Sequence, residues 1–303
     1  MSRSVALAVL SLLGTASTVN AGPVNAPVLG GSMVPPGKWP DAVAILGPDG
    51  SCTGTLIAPD VVLTAGHCTG INPTEVVANT TNYNGSGGQR IAIESITAYP
   101  NFREKFDVAV IVLVSPVTGV TPRSVGGHCT MTGFGDETMV HLVGFGQTDT
   151  TGGGVNTSLR EAMAPVLDAT CSGGNGCRDA ALPQGEFVAG GSGGDSCFGD
   201  SGGPVYLDTS RGPVLVAAVS RGLDDSATPC GGGGIYVRTD KVLAWIEQTT
   251  GRAIAKDCPD ESADAADEPT DTSVGCSSSR GGASSALILL AIGSLGFARR
   301  RVR

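Results

Sequence analysis

The chain has 303 residues, 46 of them glycine, only 4% aromatic residues and a formal net charge of −9. So much glycine, with almost no sustained amphipathic stretch, excludes a helical bundle and favours short strands joined by tight turns. The negative charge and the absence of a basic stripe exclude nucleic acid as a natural partner and mildly favour basic substrates.

In chain order, Arg3, an apolar run over residues 5–13 and the small residues up to Ala21 predict a secretory signal peptide over 1–21. Residues 22–27 form a short propeptide ahead of Val28-Leu29-Gly30-Gly31. Apolar, β-branched runs predict buried strands at 61–63, 91–93, 108–113, 140–143 and 214–219. One helix is predicted, over 241–248, stopped near Gly251. From there the composition shifts, and 252–275 reads as an acidic disordered spacer that buries too little apolar surface to offset its ordering entropy. Cys276, an apolar run over 286–298 and Arg299-Arg300-Arg301 follow. That run is shorter than the ~20 residues a membrane-spanning helix usually needs, and the arginines would hold it on the cytoplasmic side.

Three segments carry chemistry: Leu63-Thr64-Ala65-Gly66-His67-Cys68, Phe106-Asp107-Val108-Ala109 and Gly199-Asp200-Ser201-Gly202-Gly203-Pro204. A serine hydroxyl is a poor nucleophile at neutral pH; it needs a base, and the base needs an acceptor to fix its tautomer. These segments supply all three groups in the order His, Asp, Ser. Gly199-x-Ser201-x-Gly203 also fits the nucleophile elbow of α/β-hydrolases, but those enzymes place histidine last, and no histidine follows Ser201. His67, His128 and His141 lack metal-ligand spacing, and the 71–88 segment holds a single acid, Glu75, so neither a metal nor another cofactor is expected.

Over about residues 28–251 these motifs closely resemble the trypsin/chymotrypsin family of serine endopeptidases. The resemblance implies an all-β fold of two antiparallel β-barrels with a C-terminal helix, a crossover near 115–127 and the active site between the barrels. It implies Ser201 as nucleophile, His67 as general base, Asp107 as its orienter, and the N–H groups of Gly199 and Ser201 as the oxyanion hole. It places Asp195 at the base of the primary pocket, to pair with a substrate Arg or Lys, with Ser220 and Gly222 along the substrate backbone and Gly234 on the far wall. Arg221 departs from the family, which keeps an aromatic residue between the equivalents of Ser220 and Gly222. Val28 resembles the new N-terminus of an activated zymogen, whose ammonium pairs with Asp200. Pro27 departs from the usual Arg or Lys before the cut, so the activating protease is of another kind or activation works differently.

Nine cysteines in a secreted chain imply disulfides and one left over. The resemblance pairs Cys52 with Cys68 and Cys197 with Cys230. The other pairings stay open: Cys171–Cys177 would close a short local loop, leaving Cys129–Cys258 to tie the inter-barrel linker to the region of the C-terminal helix. Cys276 is the leftover. Its position before an apolar run and an arginine cluster resembles the sorting tails of myxobacterial surface proteins, implying a Gram-negative source and attachment at the cell envelope. The expected partners are protein or peptide substrates and an activating protease. Two other functions compete: a non-catalytic binding protein on a protease fold, which would usually have lost a triad residue, and an esterase using the same triad.

Overall fold

The computed structural model describes residues 28–258, except 173, 175, 182, 183 and 192. The predicted signal peptide, the propeptide, residues 259–275 of the acidic spacer, Cys276 and the tail lie outside the described residues.

Among the described residues, thirteen strands make two closed antiparallel barrels. β1 is Ser32–Met33, β2 Ala42–Gly47, β3 Gly50–Ala58, β4 Val61–Thr64, β5 Glu75–Ala78, β6 Gln89–Ala98 and β7 Ala109–Leu113. β2-β3-β4-β7-β6-β5 close the first barrel. A short helix α1, His128–Met131, lies in the crossover. β8 Met139–Gly144, β9 Arg160–Asp168, β10 Glu186–Ala189, β11 Pro204–Thr209, β12 Gly212–Gly222 and β13 Gly234–Arg238 form the second barrel. It closes because β8 pairs with both β9 and β11, and β1 adds to the start of β9. α2, Leu243–Thr250, ends at Gly251, whose left-handed φ of 64° lets its N–H reach Glu247 O at 2.9 Å.

Side chains alternate across a strand, so each barrel strand offers one parity inward and the other outward. In the first barrel Val43, Ile45, Val62, Val76 and Ile111 fill the interior. The opposite parity, Ala44, Leu63, Val77 and Val110, joins the cluster that includes Phe145, Tyr206, Leu215 and Val237 of the second half. Both faces of these strands are therefore dry, which is why they read as continuous apolar runs. The crossover is fixed where the buried Asp41 carboxylate takes Arg123 and the Tyr206 hydroxyl, the latter at 2.6 Å, with Tyr206 stacked on Trp39.

The domain does not stop at Gly251. Ile254 is buried in the inter-barrel cluster, Lys256 bridges Val125, Arg252 pairs with Asp60, and Asp257 accepts the Gly127 N–H. Residues 252–258 are thus folded onto the domain rather than being spacer. Disulfides join Cys52 to Cys68, Cys129 to Cys258, Cys171 to Cys177 and Cys197 to Cys230.

Candidate active site

β4 delivers His67 through a 3-10 turn, Gly66–Ile71. Gly66 has no room for a side chain, since a Cβ would lie 2.7 Å from the Phe102 ring. Asp107 precedes β7 and is 2% exposed. Its Oδ2 takes the His67 Nδ1 at 2.8 Å and the Ser220 hydroxyl at 2.7 Å, while Oδ1 accepts the His67 backbone N–H at 2.9 Å. Burial by itself would raise the Asp107 pKa; the hydrogen bond and charge of His67, then Ser220 and the backbone N–H, outweigh it and hold the carboxyl below its ordinary range. An ionised Asp107 keeps the proton on Nδ1 and leaves the Nε2 lone pair able to accept a proton. Trp245 of α2 packs on Tyr99, and Tyr99 on Phe106, so the C-terminal helix braces the segment that ends in Asp107.

Ser201 sits on the turn before β11. Gly199 and Gly202 have φ of 96° and 77°, where non-glycine residues are strained. Thr53 N donates to Ser201 O at 2.9 Å, and Gly202 N donates to Val219 O at 2.7 Å, clamping the serine between the barrels. The N–H groups of Gly199 and Ser201 have no hydrogen-bond partner among the described residues. Such groups are nearly always paired when out of solvent, and two unpaired donors beside a serine form a site for a developing oxyanion. No hydrogen bond joins Ser201 Oγ to His67 among the described residues; in unliganded enzymes this contact is often long and tightens when substrate seats.

Sequence reasoning missed Thr53. It is fully buried; its hydroxyl donates to Gly199 O at 2.7 Å and accepts the Phe145 N–H at 3.1 Å. It therefore fixes the Gly199–Asp200 peptide, which lies between the Gly199 and Ser201 N–H groups. Thr53→Val should lower kcat about ten-fold with KM little changed, a fraction of what losing an oxyanion donor costs, and Thr53→Ser should restore it. Equal losses in both variants would assign Thr53 to packing alone.

His67, Asp107, Ser201 and Asp195 line one cleft of about 610 Å³. Asp195, 2% exposed, accepts N–H groups from Ser196 at 2.8 Å, Gly231 at 2.7 Å and Gly233 at 2.9 Å. Burial raises its pKa, and the backbone donors only partly offset this. Gly190 must lack a side chain, because a Cβ there would stand 2.6 Å from the Asp195 carboxylate. Ser220 and Gly222 line the same cleft. Gly233 lines the cleft beside Gly234, where a Cβ would stand 3.2 Å from the hydroxyl of Ser196, itself a cleft residue.

Val28 is buried in the second barrel's core, and Leu29 bridges Asp195. Asp200 is buried and accepts the N–H groups of Gly146 at 2.7 Å and Cys197 at 2.9 Å. Burial pushes its pKa up to about 7; those two N–H groups lower it, and nearby Asp195 raises it further. Among the described residues no ion pair joins Val28 to Asp200; the Val28 nitrogen follows Pro27 and is an amide.

The sequence model of the trypsin family matches residues 28–246. Human serine protease 56 is 32% identical over 253 residues, covering 77% of this chain, which in turn spans 40% of that protein's length. The trypsin of Saccharopolyspora erythraea is 31% identical over 226 residues, covering 70% of this chain and 92% of its own. Bovine chymotrypsin-like elastase family member 1 is 30% identical over 257 residues, covering 76% and 92%. With two closed six-stranded barrels, an Asp107-bound His67 and Ser201 beside two unpaired N–H groups, the chain belongs to the trypsin family of serine endopeptidases.

Proposed function

We propose that the protein is a secreted endopeptidase that cleaves after Arg or Lys through an acyl-enzyme. Ser201 Oγ attacks the scissile carbonyl while His67 Nε2 takes its proton; the carbonyl oxygen, now anionic, is met by the Gly199 and Ser201 N–H groups. His67 then gives the proton to the leaving amine, and water, activated by the same imidazole, hydrolyses the ester. Asp107 keeps the ring in the required tautomer and stabilises the imidazolium. The observation that carries the specificity is a buried carboxylate, Asp195, in the cleft that holds His67 and Ser201. A panel of peptides differing only in the residue before the scissile bond tests it: Arg and Lys should be cleaved well, and Phe, Leu and Glu poorly. A preference for Phe would refute the assignment.

Activation in this reading frees the Val28 ammonium to pair with Asp200. The pH dependence of stability reports on it. An acid whose folded pKa exceeds its unfolded value contributes stability below the unfolded pKa and loses it as pH rises through the folded one. The uncut chain should therefore lose stability between the ordinary carboxylate range and about pH 7, the window set by Asp200. A Val28 ammonium lowers the Asp200 pKa and removes that loss. Denaturant midpoints of Ser201→Ala protein, uncut and cut before Val28, should diverge between about pH 5 and 8, the uncut form falling; identical profiles would count against the pairing. The leader and the Cys276 tail carry, on sequence alone, the further proposal of export and attachment at the cell envelope.

A further inference from the structure

Arg103, Arg178 and Arg221 also line the active-site cleft, gathered around the His67–Asp107 pair. Arg221 follows Ser220 in β12 and grips the buried Glu186 with two nitrogens at 2.8 Å each; Gly176 O takes the guanidinium at 2.6 Å. Arg178 donates to Phe102 O and to Lys105 O, both neutral acceptors. Arg103 lies over the Phe102 ring at 5.5 Å, is exposed, and makes no ion pair among the described residues. Glu186 thus offsets one guanidinium, Asp107 is engaged by His67, and two cations face the cleft with no carboxylate among the described residues in ion-pair contact. Glu104 and Asp224, the latter abutting Gly176, do not line the cleft. Burial first, then the neighbouring Arg221, depress the Arg178 pKa, while the charges of Asp107 and Glu186 act the other way and only partly offset them. In a protein of net charge −9, three guanidinium groups lining one cleft are a local concentration of positive charge.

We propose that this arginine shelf selects peptides with acidic side chains in the residues leading into the scissile bond, upstream of the basic residue held by Asp195. The inference rests on the reading above, in which substrate backbone runs along Ser220–Gly222; Arg221 then lies between the two backbone-binding positions, with Arg178 and Arg103 beyond it. A carboxylate arriving there gains charge-assisted hydrogen bonds. An aromatic residue in place of Arg221 would instead offer an apolar surface.

The test uses activated full-length protein and acetylated peptide-Arg coumarin amides carrying Asp, Ala or Lys at the three positions before Arg. The Asp series should exceed the Ala series about ten-fold in kcat/KM and Lys should fall below both, with the Asp advantage shrinking as added salt screens the charges. Arg103→Glu should bring the Asp-to-Ala ratio close to one, and Arg103→Lys should keep it. Equal rates for Asp and Ala, or a Lys preference, would overturn the shelf. A parallel set ending in Phe separates the two readings: if only that set is cleaved, the Asp195 assignment fails while its Asp-to-Ala ratio still decides the shelf. Calorimetric binding of the same peptides to Ser201→Ala protein gives the ratio where no series turns over.

Discussion

Ser201→Ala should retain its fold and lose about 10⁴–10⁶ in kcat. The backbone around Ser201 is held by bonds that alanine keeps: Thr53 N to Ser201 O, Gly202 N to Val219 O and Gly203 N to Asp200 O. The hydroxyl itself makes no hydrogen bond among the described residues, so its removal leaves no buried partner unsatisfied. What is lost is the nucleophile. The residual rate should reflect the Gly199 and Ser201 N–H groups and substrate positioning, which survive the substitution. His67→Ala should be nearly as damaging and the double variant little worse, because base and nucleophile act as a unit. The check is kcat of purified variants with denaturation midpoints alongside; an unchanged rate in folded Ser201→Ala protein would sink the mechanism.

The three groups that meet in the cleft each stand in a compact local motif of the sequence. His67 is set by a strand end and a glycine, Asp107 by a strand start, and Ser201 by glycines whose left-handed φ few other residues adopt. The strands near 61, 91, 108, 140 and 214 were legible as apolar runs. β3 was not, because Ser51, Thr53 and Thr55 break its apolar pattern, yet Thr53 and Thr55 are buried. β9 is interrupted by Pro165 and exposes Met163 and Leu167. Thr53 acts only once two barrels meet, and no local pattern announces a partner at Gly199, far along the chain. The same holds for residues 252–258, whose anchors are Asp60, Val125 and Cys129, and for Arg178, which reaches Phe102 and Lys105. The α2 helix begins two residues later than the predicted 241 and runs to Thr250, where Gly251 stops it as its sequence position announced.

Asp195→Ser should lower kcat/KM for Arg and Lys substrates by roughly 10²–10⁴, the rate equivalent of the ~3–5 kcal/mol that a buried charge costs when its partner is removed. The incoming cation would be desolvated against the N–H groups of Ser196, Gly231 and Gly233, donors of the wrong sign for a cation. Those same donors would lose an acceptor, so some damage is structural. Substrates with a neutral residue before the scissile bond separate the two effects: a structural loss lowers them as well, whereas a loss of charge pairing spares them. The pH profile gives a second readout. Burial raises the Asp195 pKa above the ordinary carboxylate range, and only the ionised form pairs with a cation, so KM for Arg substrates should climb as pH falls through that raised value. A bound Arg favours ionisation and pulls the pKa down again, so the step should sit lower in kcat than in kcat/KM. Neutral substrates should show neither step. Identical pH profiles for Arg and neutral substrates would place the specificity somewhere other than Asp195.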